Sequence, residues 1–139
     1  MKKLSIIVLA TIIITVVLSA QGKMDKKELR NKSHSMIGYL VDQSCGKRMV
    51  MDDVKKSDAK AARHTKDCAL DEVCSAKGYG LVAGGKFYTF DDAGNKKAAK
   101  YLNATKKENH FKVEVAGMMD GDKMKVESIK DFKPIGKKK

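Results

Sequence analysis

Tyr79-Gly80-Leu81-Val82-Ala83-Gly84-Gly85-Lys86-Phe87-Tyr88-Thr89-Phe90 is the stretch on which the reading of this chain turns. Two short runs of aliphatic and aromatic residues flank a glycine pair. Glycine supplies the positive φ that tight hairpin turns require, so the segment reads as two antiparallel strands joined by a two-residue loop.

The pattern continues on both sides. C-terminal to the hairpin, Asp91 or Asp92 suits a helix cap, and Ala98, Ala99 and Leu102 form a small apolar stripe on a helix over about 93–105. Phe111, Val113 and Val115 then alternate with Lys112 and Glu114, as in a half-buried strand. Asp120-Gly121 turns the chain back into a strand over Met124–Ile129. N-terminal to the hairpin, Met36–Val41 reads as a first strand, broken by Asp42-Gln43-Ser44-Cys45-Gly46. Met49–Ala62 suits a loop with a short helix. Thr65 can cap a helix from Lys66 to about Lys77, stopped by Gly78.

The expected fold class is therefore mainly β with two helices (α+β). It is a five-stranded OB-like barrel with a helical, Cys/His-bearing insert after the first strand. An open mixed sheet is the alternative. Closure is preferred because five short antiparallel strands must hide their edges.

Ahead of this domain, Met1-Lys2-Lys3 and the uncharged run Leu4–Leu18 lead into Ser19-Ala20-Gln21-Gly22, the tripartite pattern of a secretory leader. The run is shorter than the roughly 20 apolar residues of a spanning helix. Residues 1–22 are thus expected to be a signal peptide or N-terminal anchor, 23–35 a polar tether, 36–133 the domain and 134–139 a basic tail. The expected location is the periplasm or cell surface. Membrane contact is made only through residues 1–22, and only if they are retained.

The net charge is +12, with acidic residues interspersed among the lysines. Such a surface favours solubility and acidic partners. With four Tyr, four Phe and no Trp, stacking platforms for bases are poorly provided, so nucleic acid is not an expected partner. An acidic or saccharide-like envelope ligand, or an envelope protein, is.

The chemistry-bearing residues are Cys45, His64, Cys68 and Cys74. Outside the cytoplasm neighbouring thiols tend to oxidise, which points to one disulfide of Cys45 with Cys74 or Cys68. On one continuous helix Cys68 and Cys74 are about 9 Å apart along the axis, too far to bridge each other. The competing reading is a Cys₃His site for zinc or copper. Cys68 and Cys74 then point in directions about 120° apart on an ideal helix, so the four can meet only if the helix unwinds near Asp71. A thiol left beside His64 would be the start of a nucleophile, yet no orienting acid or oxyanion donor accompanies it, and no enzymatic activity is expected. Met49-x-Met51 and Met118-Met119 read as adaptable core filler, and His34 and His110 as surface residues.

Gly38-Tyr39-Leu40-Val41-Asp42-Gln43-Ser44-Cys45-Gly46 resembles the opening of a group of small exported bacterial proteins of OB-fold-like type. His64-Thr65-Lys66-Asp67-Cys68-Ala69-Leu70, Cys74, Gly78-Tyr79-Gly80 and Lys86-Phe87-Tyr88 resemble their later segments. The resemblance spans about Ile37–Lys130. It implies the fold and the envelope location and supplies no reaction. The expected function is an exported, non-enzymatic binding module needing no cofactor. A zinc, copper or thiol-redox module on the Cys/His cluster is the alternative.

Overall fold

A computed structural model describes residues 33–134. The expected leader, most of the tether and the last residues of the basic tail lie outside them. In chain order the elements are β1 (His34–Asp42), α1 (Gln43–Asp52), a 3-10 turn (Val54–Lys56), α2 (Ser57–Ala62), α3 (Lys66–Leu70), α4 (Glu72–Ser75), β2 (Tyr79–Ala83), β3 (Lys86–Phe90), α5 (Asp92–Ala104), β4 (Lys112–Asp120) and β5 (Lys123–Asp131).

The strands form one mixed sheet in the order β1-β2-β3-β5-β4, and β4 returns to β1 so that the sheet closes in a ring. β1 serves two neighbours. Its first half pairs with β4, from His34↔Gly117 to Tyr39↔Lys112, and its second half with β2, from Tyr39↔Val82 to Asp42↔Tyr79. Antiparallel pairing was expected throughout. The β3–β5 contact is instead parallel and short, with Thr89↔Lys123 and Phe90↔Met124 its paired positions. The parallel sense follows from α5, which carries the chain away from the end of β3 before the β4–β5 hairpin returns.

The period-2 alternation of the strands sorts side chains between two cores. Inside the ring, Leu40, Tyr79, Leu81, Phe90, Phe111, Val113, Val115, Met124 and Val126 pack with Ala98 and Leu102 of α5 and Ala69 of α3. The alternate residues Val41 and Val82 point outward, yet they too are fully buried, against Ala61, Met49, Val50 and Phe87. The insert between β1 and β2 covers the outer face there, which is why β2 is buried on both sides.

Two glycines set the seat of α1 on the sheet. A Cβ at Gly46 would lie 2.3 Å from the Phe87 ring, and one at Gly80 would lie 2.4 Å from the same ring and from the Tyr88 carbonyl. The ring is gripped between helix and strand with no room for a methyl group. Gly46→Ala is expected to cost about 1–3 kcal/mol, as overpacking does. A lower denaturant midpoint would register it, and Gly46→Ala combined with Phe87→Leu should cost less than the sum of the two. Strict additivity would rule out the grip.

The structure corrects several expectations. Helix is more abundant than two segments: the insert alone holds four short helices. β1 starts at His34, inside the expected tether, because its first half is needed to pair with β4. Cys45 does not end the first strand; it lies in the first turn of α1, because Asp42 caps a helix there. The helix expected over Lys66–Lys77 is broken at Asp71, whose ψ of 137° is extended. Among the described residues no helix is long and apolar enough to cross a membrane.

Candidate metal centre

Each cysteine stands three residues after a helix cap, and each cap accepts a hydrogen bond from that cysteine's own amide. Asp42 Oδ1 accepts from Cys45 N at 2.9 Å, Thr65 Oγ1 from Cys68 N at 3.3 Å, and Asp71 Oδ1 from Cys74 N at 3.4 Å. A capped first turn fixes the backbone of the residue whose amide it binds, and therefore the direction in which its side chain leaves. Asp71 also accepts from Val73 N at 3.0 Å, so the second short helix begins afresh where one continuous helix was expected. That restart turns Cys74 toward Cys68.

The result is a cluster of four donors. The ligand atoms of Asp42, Cys45, Cys68 and Cys74 all lie within 4.8 Å of one another, and the sulfurs of Cys45 and Cys68 are 3.9 Å apart. Asp42 and Cys45 are buried and the other two cysteines half-buried. A zinc ion with Zn–S bonds of about 2.3 Å in tetrahedral array holds its sulfurs roughly 3.8 Å apart. The Cys45–Cys68 spacing already matches that edge.

The sequence-predicted residues are thus brought together except for one. His64 is buried, but its Nε2 faces Asp42 Oδ2 at 2.9 Å and not a thiol. Asp42, which the sequence reading passed over as the residue that breaks β1, takes the fourth place in the cluster. The signal that could have found it is the repeated spacing Asp42-x-x-Cys45, Thr65-x-x-Cys68, Asp71-x-x-Cys74.

Electrostatics at the cluster are unusual for thiols at rest. Burial, then the negative charge of Asp42 and of Cys68, pushes Cys45 up to about 11. Cys68 and Cys74 are also raised, burial being the largest cause for each. Burial works in the same direction on Asp42, but the His64 imidazole and the Cys45 amide outweigh it and hold the carboxyl below its ordinary value. Arg48 brings a guanidinium nitrogen to 3.6 Å from the Cys45 sulfur. Raised thiols hold only a small thiolate fraction near neutral pH and are slow nucleophiles there. A cation reverses the balance, because metal binding deprotonates coordinating thiols outright.

Among the described residues, the buried side-chain nitrogens and oxygens without a hydrogen-bond partner are Asp42 Oδ2, His64 Nε2 and the Tyr79 hydroxyl. The Asp42–His64 contact is close but not a well-directed hydrogen bond. Tyr79 pairs with Asp42 across β1–β2, and both Asp42 and Cys74 act on its hydroxyl. Buried polar groups are nearly always satisfied; here Asp42 Oδ2 and His64 Nε2 lie 2.9 Å apart, and the Tyr79 hydroxyl is left without a hydrogen-bond partner.

No family model, no curated protein and no solved structure matches the chain.

Proposed function

We propose that this domain is a metal-binding module that holds one soft transition-metal ion, zinc in the first place, between Asp42, Cys45, Cys68 and Cys74. The observation that carries the reading is the convergence of three sulfurs and a buried carboxylate, supplied by three capped helix starts, within 4.8 Å. Three thiolates and one carboxylate are a zinc-type set; copper(I) would use the sulfurs and leave the oxygen aside. His64 would act behind the carboxylate, orienting it as outer partners of ligands do. Four anionic donors around a divalent ion leave an excess of negative charge. The Arg48 guanidinium, 3.6 Å from the Cys45 sulfur, offsets part of it.

The ring order, with a helix between β3 and β4, is that of an OB-like barrel, and in such barrels strands 2 and 3 commonly present the ligand face. Here α1 and α2 cover that side, with Phe87 and Val82 packed beneath them. A basic face for an acidic or saccharide-like envelope ligand therefore has less support than the metal centre. Export to the periplasm or cell surface, read from residues 1–22, remains part of the proposal and suits a module meeting metal ions outside the cytoplasm.

Reduced protein, prepared without oxygen and titrated with zinc against a chromophoric chelator, should take up one equivalent. Cys45→Ser should lose most of that affinity, since the remaining donors cannot close a four-coordinate shell. A reduced protein with three free thiols that takes up neither zinc nor copper(I) would falsify the reading.

A further inference from the structure

We infer that the same sulfurs give the centre a second state that excludes the ion: a disulfide between Cys45 and Cys68, formed by exchange with an external disulfide donor. The inference rests on the metal reading for what is excluded, and on the sulfur geometry for which pair closes.

The pair is singled out by distance, and access sets which of its two sulfurs reacts first. Cys45 Sγ and Cys68 Sγ face each other at 3.9 Å. A disulfide needs about 2.05 Å, so the sulfurs must approach by roughly 2 Å. α3, which carries Cys68, is five residues long, capped by Thr65 and ended by the extended Asp71. Its sulfur can move with a short local segment while β1 and α1 stay in place. Cys45 is buried, with 6% of its surface exposed, whereas Cys68 is half-buried and is the sulfur of this pair that an incoming donor can reach.

The chemistry balances without any group borrowed from the protein. The Cys68 thiolate attacks one sulfur of a donor R–S–S–R, forming a Cys68–S–S–R mixed disulfide and expelling R–S⁻. The Cys45 thiolate then attacks the Cys68 sulfur, forming the Cys45–Cys68 bond and expelling the second R–S⁻. Two protein thiols are oxidised by two electrons and the donor is reduced to two thiols, which take up the two protons released. Asp42 and Cys74 are then the two donors left, too few to retain zinc, and Cys74 takes a proton as the ion departs. The centre thus reads the thiol–disulfide poise of its surroundings as bound or free metal, and its partner by chemical class is a disulfide-bearing oxidoreductase or small disulfide.

The test uses the intact reduced protein, metal-free and zinc-loaded, exposed to graded ratios of oxidised to reduced glutathione. Disulfides are mapped by peptide mass after alkylation, and zinc is followed with a chromophoric chelator. The expected result is a Cys45–Cys68 cross-link with Cys74 alkylated, and one zinc released per disulfide formed. Cys74→Ser should still form the cross-link. Pairing of Cys74 with either other cysteine, or no disulfide at oxidising ratios, overturns the proposal. A protein that binds zinc and keeps it while Cys45 and Cys68 are joined overturns this proposal and leaves the metal reading intact. A reduced protein that never binds zinc overturns the metal reading and this proposal with it.

Discussion

Zinc in excess should raise the thermal midpoint of the reduced domain by roughly 15–30 °C. Free ion at about a thousand times its dissociation constant stabilises the folded state by about 4 kcal/mol, and each kcal/mol moves the midpoint of a domain this small by about 4–8 °C. The gain should also depend steeply on pH. The three thiols are raised in the metal-free fold, Cys45 to about 11, so near neutral pH each must shed a proton to become a ligand. Affinity therefore falls as pH falls, by up to about a thousandfold per pH unit while all three protons are displaced. Without metal the sign reverses. A thiol whose folded pKa lies above its unfolded value contributes stability below the ordinary thiol pKa and loses it as pH rises toward about 11. Melting curves at fixed zinc between pH 6 and pH 8 should show the increment shrinking toward the acid side. An increment independent of pH would mean that the thiols are not the ligands.

The substitution with the largest expected effect on the metal-free protein is Asp42→Ala. Asp42 is fully buried and joins β1 to α1 by capping the Cys45 amide, and it is the close partner of buried His64. Loss of the cap costs about 1 kcal/mol. Removing the carboxylate also leaves the buried His64 ring facing a void, at about 1–3 kcal/mol for a buried polar group deprived of its neighbour. Against a total stability of about 5–15 kcal/mol, the sum is a large fraction and should lower the denaturant midpoint markedly. Asp42→Asn is the informative contrast. Asparagine caps as well as aspartate and keeps an oxygen toward His64, so this variant should fold while binding zinc more weakly and copper(I) nearly unchanged. Circular dichroism and denaturant titration of the two variants would decide the matter. An Asp42→Ala protein as stable as the parent would show that neither the cap nor the pair matters.

The hairpins and the long helix were legible because their signals are local. Gly84-Gly85 and Asp120-Gly121 turn the chain where expected, with positive φ at Gly84, Gly85 and Gly121. Asp91 caps α5 one residue before its first helical residue, through Gly94 N. The insert was harder. Thr65 as a cap and Gly78 as a stop suggested one helix from Lys66 to about Lys77; Asp71 instead captures two amides ahead of it and restarts the turn. Competition of this kind between an aspartate side chain and the backbone is visible only once the alternatives are set beside each other. His64 and Cys68 have the spacing of two ligands on one helical turn, but α3 begins only at Lys66, so His64 precedes it and faces β1. The fourth donor ends β1; the repeated cap-x-x-Cys spacing marks Asp42 as a cap, but its meeting with all three sulfurs is a product of the fold.

The burial of β2 on both faces has a consequence for how the centre is built. Its outward side chains find cover only when the insert has folded back over the sheet, and the insert leaves and rejoins that sheet beside the cluster, at Asp42 and just after Cys74. An ion joining those two points would tie the long excursion at its base. The conformational freedom of some thirty residues would then be surrendered partly on binding and not wholly on folding. The centre is in that sense a knot at the neck of a loop, and the metal-free chain must hold the same loop closed by packing alone.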